Sequence, residues 1–402
     1  MKRARCQSRR EFLKTGFAGI AATAIHTACA RPEAPQDSPQ SKRKAVYRIL
    51  GRTGLRLPVV SLGAVYAAEL VRRAHDAGIV YIHTSSSYSE RNEERRLGEV
   101  CRALDRDSFV IGTSPDLPYQ VVRGQDLSAD LGTTVDPDLI TRSMETSLQL
   151  LGLEYVDIYY LASVNSRATA LYEPYLRVFE KLKKEGKTRF IGITTHSNEP
   201  EVIRAAAESG IWDVALTAYN FRQSHRAEVR SAITRAAGAG LGIVAMKTQA
   251  GVYWGGPFRR KINMKAALKW VLQDEHVHTA VPAVSNYDEL MEDLSVMEDL
   301  TLTPAELRDL KLGEELGLSG MYCQQCRRCL PQCPAGVDVP TIMRAAMYAF
   351  GHQQPGKARA LFQGWQPADI ACTGCRDCPV KCTLGLDIRP RAVDVARLLA
   401  ES

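Results

Sequence analysis

The chain has 402 residues, 45% of them hydrophobic and 24% charged, with a formal net charge of +7. That length and apolar share exclude a largely disordered chain and leave room for one large domain with appendages. Six basic residues against Glu11 concentrate most of the charge in residues 1–30, so little excess remains elsewhere and nothing indicates a nucleic-acid partner.

The N-terminal stretch SRREFLKTGFAGIAATAIHTACA joins a twin arginine to a short, Ala-rich apolar segment from about Phe17 to Ala30. It resembles a twin-arginine export signal. The apolar part is too short for a comfortable membrane span, and no later stretch approaches one. Cleavage is expected after Ala30. HTAC around Cys29 is an imperfect lipid-attachment box, with His26 where a large aliphatic residue is usual. The expectation is a signal peptide over 1–30 and a flexible linker over 31–45, rich in Pro, Gln and charge. It places the mature protein in the periplasm or on the outer face of the cytoplasmic membrane. Membrane contact is expected only through export or a lipid anchor at Cys29.

Short apolar runs then alternate with periodic amphipathic ones. Strands are expected near Val59–Leu62, Ile79–His83, Phe109–Thr113, Val156–Leu161, Arg189–Thr194, Asp213–Ala218, Leu241–Met246 and His278–Val281. Helices are expected at Glu93–Leu104, Pro137–Leu151, Tyr172–Lys184 and Glu201–Ser209. Eight such units over 46–315 predict an α/β fold of the (β/α)8 barrel type, with its active face at the C-terminal strand ends. Cys101, on a predicted helix, reads as a buried small hydrophobe.

Eight of the eleven cysteines fall in the last eighty residues. CQQCRRCLPQCP supplies Cys323, Cys326, Cys329 and Cys333, and CTGCRDCPVKC supplies Cys372, Cys375, Cys378 and Cys382. Both runs are C-x2-C-x2-C-x3-C, a spacing in which three thiolates wrap one [4Fe–4S] cluster and the fourth ligates the other. The expected sets are Cys323, Cys326 and Cys329 with Cys382, and Cys372, Cys375 and Cys378 with Cys333. Two zinc sites or disulfides are the rival readings. The second run has Thr383 where a proline usually follows, which removes no ligand. GVDVP and GLDIRP after the two runs form a weak internal repeat. With a helical spacer over Pro340–Phe362, residues 316–402 resemble a bacterial two-cluster ferredoxin, a mainly helical domain. Export and clusters explain each other, because the twin-arginine route carries proteins already folded around their cofactors.

YRILGRTGLRLPVVSLG, AHDAGIVYIHTSSSY, LQLLGLEYVDIYYL, EGKTRFIGITTHS, TAYNF and GIVAMK follow one another in the order of the aldo/keto reductase family. The chain resembles the branch of that family with a C-terminal ferredoxin-type domain, over Tyr47 to Ser402. The resemblance implies NADPH-dependent carbonyl reduction by a tetrad of Asp, Tyr, Lys and His, in which the Tyr donates a proton while NADPH supplies hydride. Here the Asp position holds His83, the Tyr is kept as Tyr88, the Lys position holds Ser114 and the His position Ala162. A phenol titrates near 10 unless a neighbouring cation or relay tunes it, so loss of Lys and His weakens the chemistry the resemblance implies. His83 and Tyr88 are the candidate catalytic pair. The alternative for His83 is a hydrogen-bonded barrel residue. His196, Asn220 and Lys247 are further polar candidates on the same face.

The family holds the coenzyme phosphates after the last strand. That segment here is AVPAVSNYDELMEDL, with Ala283 at the usual glycine and Glu292-Asp293 at the terminal Glu-Asn. No Lys or Arg occurs between Lys269 and Arg308, while Asp288, Glu289, Glu292, Asp293, Glu298 and Asp299 do. A phosphate needs a cation, so NADPH dependence is doubtful. The leading expectation is an exported iron–sulfur oxidoreductase on an aldo/keto reductase barrel, exchanging electrons with a redox partner protein or quinone-linked donor in the cell envelope. One alternative is an active NAD(P)H-dependent aldo/keto or quinone reductase with Tyr88 as proton donor. The other is a non-enzymatic electron-transfer subunit whose barrel is a docking scaffold.

Overall fold

A hairpin forms first in the chain because its turn carries glycines where the backbone is left-handed, Gly51 at φ 48° and Gly54 at φ 70°. Strand β1 (Tyr47–Ile49) pairs antiparallel with β2 (Arg56–Pro58). Leu50 and Leu57 from this hairpin pack with Ile158, Val214 and Val244, near the N-terminal ends of the barrel strands. The computed structural model describes residues 45–400 apart from 66, 89–91, 116, 118–134, 197, 250–262, 316–322, 324–326, 352–354, 363–374, 376 and 383–385. The signal peptide, and all of the linker but Ala45, therefore lie outside the described residues.

Seven parallel strands follow in sequence order: β3 (Tyr81–His83), β4 (Val110–Thr113), β5 (Val156–Leu161), β6 (Thr188–Thr195), β7 (Val214–Ala218), β8 (Gly242–Met246) and β9 (Thr279–Ala280). The expected first strand, Val59–Leu62, makes parallel bridges from Val60 to Ala280 and from Leu62 to Ile82. Those bridges join the two edge strands and curl the sheet on itself as a (β/α)8 barrel. The outer helices are α1 (Ala68–Asp76), α2 (Asn92–Cys101), α3 (Asp138–Leu151), α4 (Arg167–Ala170), α5 (Glu173–Lys184), α6 (Glu199–Ser209), α7 (Arg226–Gly238), α8 (Met264–Leu272) and α9 (Tyr287–Glu298). Each of β3 to β9 falls on its expected run, with ends within two residues of it, because fully buried parallel strands read as continuous apolar segments. Helix ends shift by a few residues, as for α2, which closes at Cys101 rather than at Leu104. Cys101 is buried in the core, and burial raises its thiol to about 11.

Alternation along each strand fills the barrel in layers. Tyr81 and Tyr160 point inward and join hydroxyls at 2.7 Å. Two glycines make room for these rings. A Cβ on Gly112 would sit 2.9 Å from both Tyr160 Cε2 and Tyr81 Oη, and one on Gly192 would sit 2.6 Å from Tyr160 Cδ1. Asp157, fully buried on β5, ties three elements together: its carboxylate accepts from Ile111 N at 2.9 Å, Arg106 Nη2 at 2.7 Å and Arg189 Nη1 at 2.7 Å.

After α10 (Pro304–Glu315) the described C-terminal residues are mainly helical: α11 (Val339–Ala346), α12 (Pro355–Ala360) and α13 (Ile388–Ala400). Ile342, Ala345, Ala346, Ala358, Leu361, Ala392 and Val395 form their core. The spacer expected over Pro340–Phe362 is not one helix. A π turn follows at Met347–Gly351, and α12 starts afresh at Pro355, whose ring cannot sit inside a helix.

Candidate active site and cysteine cluster

Strand β3 sends Tyr81 and His83 to the same side, so His83 lies one layer above the tyrosine pair at the C-terminal end of the barrel. Its ring stands edge-on to Tyr160, with centroids 5.3 Å apart, and to Tyr88, 6.2 Å away at an interplanar angle of 82°. The turn that brings Tyr88 back is closed by its N–H donating to Ser85 O at 2.9 Å. The structure thus joins the two candidate catalytic residues through a ring contact. Among the described residues, the buried His83 Nδ1 has no hydrogen-bond partner. Burial drives its pKa down to about 3, so the ring is neutral across the physiological range.

Hydroxyls occupy the lysine position. Ser114 Oγ donates to Ser85 Oγ at 2.9 Å, Ser85 Oγ is 2.9 Å from Ser87 Oγ, and Ser86 donates N–H and O–H to Ser114 O, each at 3.0 Å. Ala162 is half-buried at the histidine position. The next residue, Ser163, has φ 52° and donates its N–H to Thr194 Oγ1 at 2.7 Å. Of the other polar candidates, His196 is half-buried, and Asn220 is fully buried and donates Nδ2 to Lys247 O at 3.2 Å. Lys247 adopts φ 57° directly after β8, an uncommon conformation for a residue with a side chain.

Two groups escape sequence reasoning. Glu93 and Glu94, in the first turn of α2, look like exposed acids stabilising a helix start. They are 1% and 0% exposed, and accept from Thr84 Oγ1 at 2.9 Å and Thr113 Oγ1 at 2.6 Å respectively. Burial raises Glu93 from 4.5 to about 8, against the pull of Thr84 and Arg96. The second group is Glu199, Gln223 and His225, between α6 and α7. Buried Glu199 accepts Gln223 Nε2 at 3.1 Å and pairs with His225 Nε2 at 2.8 Å, while Gln223 Oε1 accepts the Asn220 N–H at 3.0 Å. The Glu199 carboxylate raises the His225 pKa, and the charge of Arg328, from the first cysteine run, opposes it. The only sequence signal for either group is the crowding of polar residues between apolar runs.

At the expected coenzyme segment, a carboxylate of helix α9 folds back onto the residue before the N-cap. Asn286 Oδ1 caps Glu289 N at 3.0 Å, and Glu289 Oε2 accepts both Ser285 N and Ser285 Oγ at 2.7 Å. Anions gather at such helix starts, and here the chain supplies its own. Further along, buried Asp293 accepts Gln249 Nε2 at 3.1 Å, and burial raises its pKa well above the carboxylate range.

Five of the eight cluster-ligand candidates, Cys323, Cys329, Cys333, Cys378 and Cys382, pack against one apolar group of Val339, Met343, Val380, Leu386 and Ile388. The two runs are stitched together. Gln332, just before Cys333, accepts the Lys381 N–H at 2.7 Å and donates to Lys381 O at 3.3 Å, just before Cys382. Val337 N lies 3.4 Å from Cys333 Sγ as donor. Burial lowers the Arg391 pKa, and the charges of Asp387, Cys382 and Cys323 oppose the shift. Thiols from both runs, the pair expected to share one cluster, thus act electrostatically on Arg391. Cys375 is half-buried, and Cys326 and Cys372 lie outside the described residues. Among the described residues no group of three or more His, Cys, Asp or Glu side chains stands in a metal-holding arrangement.

The sequence profile of the aldo/keto reductase family matches residues 57–253. L-galactose dehydrogenase of Arabidopsis thaliana is 32% identical over 166 residues, 38% of this chain and 49% of that protein. L-glyceraldehyde 3-phosphate reductase of Escherichia coli is 29% identical over 177 residues, 40% of this chain and 49% of that protein. The chain thus spans about half the length of these relatives. An aldo/keto reductase from Klebsiella pneumoniae, solved with NADP and acetate, superposes with a TM-score of 0.51 at 20% identity, covering 66% of this chain and 95% of that one. The putative aldo-keto reductase PA4992 gives 0.50 at 23%, covering 65% and 99%. At these identities the structural likeness concerns the fold.

Proposed function

Because residues 57–253 match the sequence profile of the aldo/keto reductase family, we propose that the chain is an exported oxidoreductase in which two [4Fe–4S] centres have taken over electron transfer from nicotinamide. The observation that carries the reading is the convergence of both cysteine runs on one apolar group, locked by the Gln332–Lys381 pairing. Thiolates half-sheltered by aliphatic side chains, with a nearby backbone N–H and a guanidinium, suit a sulfur-ligated iron centre. Cys323, Cys326 and Cys329 with Cys382, and Cys372, Cys375 and Cys378 with Cys333, would hold the two clusters. When bound, these supply single-electron transfer. The protein's own residues shield them: Val339, Met343 and Val380 limit water, Val337 N–H points at Cys333 Sγ, and Arg391 offsets negative charge near Cys323 and Cys382.

On the barrel side, Ser114 and Ala162 stand where the family pattern has a lysine and a histidine, and Glu289 turns its carboxylate back onto Ser285 just before α9. Both features favour loss of nicotinamide. The second reading, an NAD(P)H-dependent carbonyl reductase with Tyr88 as proton donor, draws on the reductase relatives. Anaerobic titration of the mature protein with NADPH and NADH, following cluster absorbance and nucleotide fluorescence together, separates the two. The proposed function expects visible clusters, reducible by dithionite, with no nucleotide binding and no bleaching. Bleaching by either nucleotide restores the reductase reading, and a preparation that carries no iron after anaerobic reconstitution overturns the proposal.

A further inference from the structure

Glu199 opens α6 with its side chain only 1% exposed, and its two carboxylate oxygens serve different partners. Oε1 accepts Gln223 Nε2 at 3.1 Å, and Oε2 lies 2.8 Å from His225 Nε2. Gln223 carries the arrangement inward: it donates to Ala218 O at 3.2 Å and accepts the Asn220 N–H at 3.0 Å, and Asn220 Nδ2 donates to Lys247 O at 3.2 Å. Those bonds shape the turn after β7. His225 is the outer member. It directly precedes α7, its side chain is 20% exposed, and the charge of Arg328, from the first cysteine run, acts on it.

A buried carboxylate needs a compensating charge. An arginine would supply one permanently, whereas the partner here is an imidazole, which gains or loses its charge near neutral pH. The charged groups acting on the ring are Glu199 from α6, Glu228 on α7 and Arg328 from the cysteine run. The hydrogen bond to Glu199 is the largest influence and raises the pKa of His225 above 6.5; burial and Arg328 oppose it, and the charges of Glu199 and Glu228 reinforce it. A titrating pair thus stands within electrostatic reach of a segment whose cysteines are expected to hold iron.

We propose that the Glu199–His225 pair is a proton site coupled to the redox state of the iron–sulfur centre on the first cysteine run. The inference rests on the proposed function and adds to it the residue that balances the charge of the electron. A carboxylate only accepts, so His225 Nε2 keeps its hydrogen in both states and Nδ1 is the nitrogen that titrates. As one electron enters from a one-electron donor, His225 takes one proton from solvent, an N–H bond forms at Nδ1, and the net charge of the region is unchanged. Linkage makes the coupling reciprocal: reduction tightens the hold of His225 on its proton, and the proton raises the reduction potential. Because Gln223 shares the same carboxylate, the turn carrying Asn220 is hydrogen-bonded to the site of this charge change.

The test is spectroelectrochemical titration of the anaerobically purified full chain at several pH values, with iron counted on the same sample. Reduction is expected to raise the proton affinity of His225 at least about threefold, which at about 59 mV per tenfold for one electron lowers the midpoint of one centre by about 30 mV or more between about pH 6 and about pH 9. His225→Gln keeps an N–H donor for Glu199 and cannot titrate; it is expected to retain its clusters and to show a flat midpoint over that range. Glu199→Gln keeps the shape and removes the charge, so the pH-dependent span is expected to move down by about one pH unit instead of vanishing. A midpoint independent of pH in the unmodified protein, or one that falls equally in His225→Gln, overturns the inference. Where His225→Gln loses its clusters, Glu199→Gln decides, and a span that stays in place overturns it. Protein that holds no iron after reconstitution refutes the proposed function and this inference together, and cluster-loaded protein with a pH-independent midpoint refutes this inference alone.

Discussion

Replacing Glu93 by Gln tests whether a buried acid under the candidate site is held protonated. Glu93 is 1% exposed, and burial raises its pKa from 4.5 to about 8, with Glu94 adding repulsion and Thr84, Arg96 and Val65 N–H opposing. The folded state prefers the neutral acid, so this preference stabilises fully below about pH 4.5 and is lost as pH rises through about 8. At about 1.4 kcal/mol per pH unit, the span between these values corresponds to at most about 5 kcal/mol, and relaxation around the ion brings the expectation to about 2–4 kcal/mol. Gln keeps an oxygen for the Thr84 hydroxyl, which donates at 2.9 Å, and cannot ionise. Urea unfolding followed by tryptophan fluorescence at about pH 5 and about pH 8.5 reads the difference. Glu93→Gln is expected to match the unmodified protein within about 1 kcal/mol at the lower pH and to exceed it by about 2–4 kcal/mol at the higher. A difference equal at both pH values refutes the burial argument.

Three further outcomes follow from packing. Gly192→Ala puts a methyl 2.6 Å from Tyr160 Cδ1, and is expected to lower unfolding free energy by about 1–3 kcal/mol; an unchanged urea midpoint counts against the tyrosine layer as described. Asp157→Ala removes the acceptor of Ile111 N, Arg106 and Arg189. Both guanidiniums keep some access to water, so the cost should lie near about 2–4 kcal/mol, read from the same unfolding curves. Gln332→Ala cuts the stitch to Lys381 and should speed iron release to a chelator several-fold, with barrel unfolding unaltered; an unchanged release rate would show that the stitch does not hold the runs together.

The barrel was legible because parallel strands buried on both faces are continuous apolar runs, and Val156–Leu161 stands at the expected residues. Residues 59–62 were legible as apolar, yet their role in closing the sheet depends on partners more than two hundred residues away, Ala280 among them. His83 and Tyr88 were singled out by pattern, and the fold brings their rings into edge contact. That no described residue partners His83 Nδ1 was not legible, since it depends on what does not reach it in three dimensions. Glu93 and Glu94 were missed for the opposite reason. Two consecutive acids at a helix start read as solvated, and only the inward roll of α2 buries them. The acidic coenzyme segment was visible as composition, whereas the folding of Glu289 back onto Ser285 is a local geometry that composition does not encode.

The tyrosine layer has a consequence for traffic. With Tyr81 and Tyr160 joined hydroxyl to hydroxyl across the lumen and the hairpin leucines beneath them, the barrel is packed shut at this level and is not a tunnel. A ligand at the level of His83 would therefore have to arrive and leave from the C-terminal side of the strands.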